Sequence, residues 1–279
     1  MTDWTGRTAT ETAAAVREGR VTPREVVAGH LARIERLDAR IGAFRKVRAE
    51  AALAEADALA ARPDLAGLPL AGVPVAVKDN LAVRGESTRN GSAATPDEPA
   101  ADDHVTVARL RAAGAVVVGL TNVPELVRLR HHGRGAGGPD PKRLVRRTRV
   151  HAALGRRFVA GVRDGERRAR PRRLLEPFFA EHDVLLTPAL ARRGPVAAPW
   201  HERGRLRNML ANTACSPLTP PWNLTGRPAL SVPFGTLPSG APCAVQLVGR
   251  PGSEHALLDV AARLESLRPW RRTAPVTGD

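Results

Sequence analysis

The sequence predicts an α/β fold, a β-sheet core flanked by helices, and two observations carry that reading. Short, nearly all-apolar runs recur along the chain, as expected of strands buried on both faces. Between them lie segments with apolar residues at helical spacing. A length of 279 residues fits one large domain, taken as spanning 1–279. Its parts are N-terminal helices (1–66), a lysine-bearing βαβ core (67–126), a basic loop with helices (127–180), and C-terminal strands with a last helix (181–279).

In the N-terminal part, Thr22-Pro23-Arg24-Glu25 is a capping box with proline at the first helical position. Val27, Leu31, Ile34 and Leu37 follow at helical spacing and predict one buried stripe. An alanine-rich helix is expected from Glu50 to Arg62, its small face suited to close packing on a sheet. Val73-Pro74-Val75-Ala76-Val77 then reads as a buried strand ending abruptly in Lys78-Asp79-Asn80. A polar loop follows, and Asp102 or Asp103 is positioned to cap a helix that Gly114 stops. Ala115-Val116-Val117-Val118-Gly119 is a second strand. Strand, helix, strand at this spacing is a βαβ unit with parallel strands. Lys78 and the Thr121-Asn122 pair fall at carboxyl ends of strands, where such sheets bind ligands.

From Val127 to about Pro141 arginine, histidine and glycine dominate without a period, and a loop is expected. Helical patterning is read from Leu144 to Val162, near Leu174 to Phe179 and near Leu206 to Ala211. Strands are read at Asp183 to Pro188, Ala229 to Pro233 and Ala244 to Val248. A final helix runs from Ser253 to about Leu267, with Leu257, Leu258, Ala261 and Leu264 on one side.

The net charge is +15, and most of it is local: Arg128 to Arg173 holds fifteen arginines and one lysine against Asp140, Asp164 and Glu166. Two readings stand for this segment. One is a solvated helix face with arginine-rich composition; the other is weak nucleic-acid contact through Arg128 to Arg173. Five Phe, four Trp and no Tyr leave few rings to stack on bases, which favours the first. No run of apolar residues is long enough for a membrane-spanning helix, so no membrane partner is expected. The N-terminus lacks the layout of a secretory signal, and two cysteines, Cys215 and Cys243, suit a reducing compartment, so a cytoplasmic location is expected.

Lys78 is the candidate catalytic residue. A lysine at the end of an apolar strand is unusual, because burying an ammonium costs its hydration. Desolvation lowers a lysine pKa from about 10.4, and one tuned to roughly 7–8 exchanges protons at neutral pH. The competing reading is that Lys78 pairs with Asp79 or another carboxylate and ties a loop down. Among other groups, Cys215 reads as a small core residue and Cys243 as the start of a strand. His131-His132 lacks further ligands at metal spacing, and Gly133 to Gly138 lacks the Gly-Lys-Ser/Thr close of a phosphate loop. No metal or other cofactor is implied.

Pro69-Leu70-Ala71-Gly72-Val73-Pro74-Val75-Ala76-Val77-Lys78-Asp79-Asn80 resembles the lysine motif of the amidase signature family. The likeness continues through Thr88, Gly91 and Ser92, through Val105 to Ala115, and through Gly119-Leu120-Thr121-Asn122-Val123-Pro124-Glu125-Leu126. Near the C-terminus, Asp183 to Pro188, Pro221-Trp222-Asn223-Leu224-Thr225-Gly226-Arg227-Pro228-Ala229 and Val245-Gln246-Leu247-Val248-Gly249 are similar to its later motifs. The resemblance implies a mixed β-sheet core flanked by helices and cleavage of a small-molecule amide C–N bond. In that family a lysine, a bridging serine and a nucleophilic serine act through an acyl-enzyme. Lys78 matches the lysine; nothing matches either serine. Where the family carries a Gly/Ser-rich loop, this chain runs through Arg128 to Gly138 without a serine. Ser87 and Ser92 fall in a loop that is structural in the family, and Ser216 and Ser231 in C-terminal packing motifs. The expectation is therefore an amidase-signature fold truncated in the middle, with impaired hydrolysis. Its alternatives are a catalytically inactive remnant serving as a binding or scaffold protein, and an RNA-associated subunit like that of a tRNA-dependent amidotransferase.

Overall fold

The computed structural model describes residues 4–124, 142–143, 164–194 and 205–270. The chain divides into two compact units, Met1–Ala153 and Leu154–Asp279.

The first unit opens with helix α1 (Ala9–Arg17) and helix α2 (Pro23–Ile41), each begun by a capping box, Thr8 with Glu11 and Thr22 with Glu25. Each threonine hydroxyl accepts the N3 amide while the glutamate reaches back to the cap amide, satisfying donors the helix leaves open. Gly42, with φ of 64°, ends α2 in the left-handed region. Strand β1 (Phe44–Val47) follows, then α3 (Ala49–Ala60), β2 (Pro74–Lys78), α4 (Val105–Ala112) and β3 (Val116–Thr121).

The sheet order is β1-β3-β2, with β2 parallel and β1 antiparallel to β3, so this sheet is mixed. Central β3 is sealed on both faces. Val116 and Val118 pack with Val26, Val27, Leu31, Ala52 and Ala56 of α2 and α3. Val117 and Leu120 pack on the other face with Val77, Val83 and Val107. Full burial of such a side chain contributes about 1.5–3 kcal/mol, so β3 organises the unit. The alanine face of α3 does lie against the sheet, where small side chains allow close approach.

The βαβ unit β2-α4-β3 is present as the spacing predicts. Its helix cap differs from the expectation. Helix α4 starts at Val105, and the His104 ring accepts the Thr106 amide at 3.2 Å. Asp103 is engaged elsewhere: it accepts the Arg84 amide at 2.7 Å and pairs with Arg111 at 3.2 Å.

The second unit contains α5 (Asp164–Glu181), β4 (Val184–Pro188), α6 (Arg205–Cys215), α7 (Pro220–Thr225), β5 (Ala229–Thr236), β6 (Pro242–Gly249) and α8 (Glu254–Leu267). Its sheet, ordered β4-β6-β5, is antiparallel throughout. One core joins Phe179, Trp222 and Val248, with Leu175 and Leu185 beside them. The other joins Val232, Leu247 and Leu257, with Ala261 and Leu264 of α8. Leu258, expected in that stripe, is 56% exposed. The helical reading from Leu144 to Val162 and the loop reading from Val127 to Pro141 lie outside the described residues.

Candidate active site

The end of β2 separates two adjacent residues. Asp79 is fully buried, whereas Lys78 is exposed. Asp79 pairs with the Arg45 guanidinium, Nε to Oδ1, at 3.0 Å. The carboxylate also accepts the Arg89 amide at 3.2 Å and the Gly91 amide at 3.5 Å. Its own amide donates to the Thr121 carbonyl at 3.2 Å, and its carbonyl accepts the Asn90 amide at 2.9 Å. One residue, through its backbone and its carboxylate, therefore joins the ends of β2 and β3 to the turn that returns the 79–103 loop. Gly91, with φ of 65°, is required in that turn. A Cβ there would lie 2.1 Å from the Val123 carbonyl oxygen.

Lys78 is placed at the carboxyl end of the strand, as its position in the sequence implies. The burial that proton exchange at neutral pH would draw on is not found, because the side chain leaves the rim of the sheet for solvent. Nor does Lys78 tie the loop down: among the described residues it makes no ion pair. Arg45, on β1, takes the Asp79 carboxylate instead. The neighbouring Asn122 serves the framework, its amide nitrogen donating to the Gly42 carbonyl at 2.8 Å.

The loop is held by a chain of charges that sequence reasoning missed. Glu86 receives Lys46 at 2.6 Å and Arg48 at 2.9 Å. Arg48 reaches on to Glu55 at 2.8 Å and donates to the Val117 carbonyl at 2.7 Å. Arg111 then joins Glu55 at 3.0 Å to Asp103. Burial pushes the Glu86 carboxyl up, but the bonds and charges of Lys46 and Arg48 together outweigh it and hold the group below its usual range. Burial opposes the charge of Arg48, yet Glu55 and Glu86 raise its pKa further above the ordinary guanidinium value. The available signal was Phe44-Arg45-Lys46-Val47-Arg48, three cations within five residues, against Asp79 and Glu86 in the loop.

The remaining nucleophile candidates are engaged in structure. Arg45 donates to the Ser87 carbonyl at 2.6 Å, and the Ser87 hydroxyl bonds Asp97. Ser92 is buried and accepts the Ala94 amide at 3.1 Å. Ser216 shares a hydrogen bond with Thr219 at 2.7 Å. Ser231 sits in β5 opposite Gln246. Cys215 and Cys243 are free thiols of intermediate burial, and the Cys215 Sγ lies 3.8 Å from the Arg193 carbonyl. Among the described residues no group of three His, Cys, Asp or Glu side chains converges as for a metal. His131, His132, Gly133 to Gly138 and most of Arg128 to Arg173 lie outside the described residues, so nothing in the structure supports nucleic-acid contact there. No described helix is long and apolar enough to cross a membrane.

Comparison with known proteins fits this geometry. The family model described as Amidase matches residues 25–139 and 148–258. AmiB2 of Mycobacterium tuberculosis, named as an amidase, is 26% identical over 441 residues, covering 92% of this chain and 95% of AmiB2. One subunit of the glutamyl-tRNA(Gln) amidotransferase of Salinispora tropica is 44% identical over 128 residues, which is 45% of this chain and 26% of that protein. The structure of 6-aminohexanoate cyclic dimer hydrolase shares the fold, with a TM-score of 0.68 at 18% identity, covering 97% of this chain and 98% of that one. A lysine at the end of a parallel strand, a loop locked to that strand by its neighbouring aspartate, and a family match on both sides of residues 140–147 lead to one assignment: the chain belongs to the Amidase family.

Proposed function

We propose that this chain is an amidase-family protein whose hydrolysis of carboxylic amides is impaired. Lys78 occupies the family's lysine position, and the amides in question are small molecules. The observation that carries the reading is that the Lys78 ammonium stands in solvent, with no hydroxyl or carboxylate bonded to it among the described residues. A general base works through a hydrogen-bonded relay to a nucleophile, and no such relay reaches Lys78 among the described residues. The alignment with AmiB2 adds support. It runs over 441 residues, more than the 279 of this chain, so AmiB2 carries a long stretch without counterpart here. The break in the family match between residues 139 and 148 directly follows the serine-free run Arg128 to Gly138. What remains is a folded scaffold around a lysine, suited to binding more than to turnover, in a cytoplasmic setting.

The test is release of ammonia or amine from small aliphatic and aryl amides by the purified chain. The expected rate equals the buffer blank, for the wild type and for Lys78→Ala alike. Turnover that Lys78→Ala abolishes would show an intact relay and overturn the proposal. Turnover that survives the substitution would remove Lys78 from the chemistry.

A further inference from the structure

Antiparallel strands β5 and β6 of the second unit end on two arginines. Ala229 lies opposite Val248, and the Gly249 amide donates to the Pro228 carbonyl at 3.1 Å. The next step of that register sets Arg227 opposite Arg250. Both line one cavity of about 490 Å³, a volume suited to a small molecule. Like charges facing each other across a strand pair are unfavourable. Asp183 pairs with Arg250 at 3.3 Å, but with side chains 92% and 48% exposed that bond relieves little. Among the described side chains that line the cavity, the two guanidinium groups meet one carboxylate, Glu176 of α5, which leaves one positive charge over. Arg227 is also held in place. Its guanidinium carbon lies 4.1 Å from the centroid of the buried Phe179 ring. Stacking on a ring fixes the plane of the fork, and a fixed planar fork matches a carboxylate through two parallel N–H bonds.

We propose that this cavity binds a small organic monoanion, a carboxylate with an apolar body, anchored by Arg227 with Arg250 as the second cation. A single negative charge matches the one that the arginines leave over, and it relieves their mutual repulsion at the end of the ladder. The apolar body rests on Ala180 and Pro251, which supply the cavity's apolar wall. Bidentate contact from a preorganised guanidinium selects a planar carboxylate over a hydroxyl of the same size. The site lies wholly within the second unit and does not draw on Lys78.

Isothermal titration calorimetry of the full chain with phenylacetate tests this. Phenylethanol serves as the neutral analogue, and inorganic phosphate as an anion without the apolar body. Phenylacetate should bind, and both comparison compounds should bind about tenfold more weakly or less. Arg227→Gln should weaken phenylacetate about tenfold or more, and Arg227→Lys should recover little, because an ammonium lacks the fork. Arg268→Gln removes the same charge from another arginine of this unit that faces a ring, 5.2 Å from Phe234, and should leave binding unchanged. Should the Arg227 variants fail to fold, Arg250→Gln carries the test with a severalfold loss, since its half-exposed side chain is not part of a core. A wild type that does not bind phenylacetate overturns the proposal. So does binding that survives both Arg227→Gln and Arg250→Gln, or a loss in Arg268→Gln as large as in Arg227→Gln. Phenylethanol or phosphate bound as tightly as phenylacetate overturns it too, the latter marking an adventitious anion site only.

Discussion

Arg48 and Glu86 form an ion pair at 2.9 Å, with side chains 5% and 9% exposed. Arg48 spends its other nitrogens on Glu55 and the Val117 carbonyl, so its planar fork satisfies three partners from three elements. Removing one member of a buried pair strands the rest, at a cost of about 3–5 kcal/mol. Arg48→Met should lose stability on that scale in urea unfolding followed by circular dichroism. Arg48→Lys should recover little, because an ammonium cannot reproduce the fork.

The same pair makes the fold acid-sensitive. Although burial opposes its charge, Lys46 and Arg48 hold the Glu86 carboxyl below its ordinary value of 4.5 when folded. A carboxylate depressed on folding contributes stability that is complete above its unfolded value and is lost as pH falls through the folded one. Melting temperature should therefore drop as pH is lowered below about 4.5. In Glu86→Gln that part of the profile should flatten, from a lower starting stability. A variant whose acid limb matches the wild type would take Glu86 out of this role.

Gly91→Ala should loosen the loop. The turn holds Gly91 at φ of 65° with the Val123 carbonyl 2.1 Å from any added Cβ. Strain of this kind costs on the order of 1–3 kcal/mol, and the backbone carbonyl cannot swing aside as a flexible side chain would. Limited proteolysis should show new cleavage within residues 79–103, while the cores around β3 keep their protection.

Much of this architecture was legible in the residues. The capping box at Thr22, the βαβ unit and the strands of the second unit, though not their antiparallel pairing, follow from local chemistry and apolar runs. Strand β1 was not, since Phe44-Arg45-Lys46-Val47 reads as a polar connection. It becomes a strand because β3 offers it a ladder and because its cations find Asp79 and Glu86. Helix α5 was read from Leu174, where apolar residues begin; its charged first part has no period to detect. At the site, the sequence pointed to Lys78 and overlooked Asp79, although Asp79 is the buried member of the two. Burial depends on which strand lies alongside, and a single sequence does not show that.

Lys78→Ala should leave stability within about 0.5 kcal/mol of the wild type, as for other exposed side chains without partners. Asp79→Ala should not, for it leaves Arg45 and the loop amides of Arg89 and Gly91 without their acceptor. Thermal melts of the two single variants separate these roles, and equal losses would contradict the exposed placement of Lys78.

In the second unit, Gln246 lies opposite Thr187 on β4 and is 3% exposed. Its Nε2 donates to the Thr187 hydroxyl at 3.2 Å and to the Leu218 carbonyl at 3.1 Å, tying the sheet to the segment before α7. Gln246→Leu keeps the volume but leaves both acceptors unmet, which should cost about 1–3 kcal/mol. A double-mutant cycle with Thr187→Val apportions the loss. Once Gln246 is gone the hydroxyl has no bond left to lose, so the double variant should be less destabilised than the sum of the singles. The shortfall is the coupling between the two side chains, and what persists in the double variant reports the Leu218 carbonyl. Strict additivity in urea unfolding would mean that the Gln246–Thr187 bond contributes nothing to the fold.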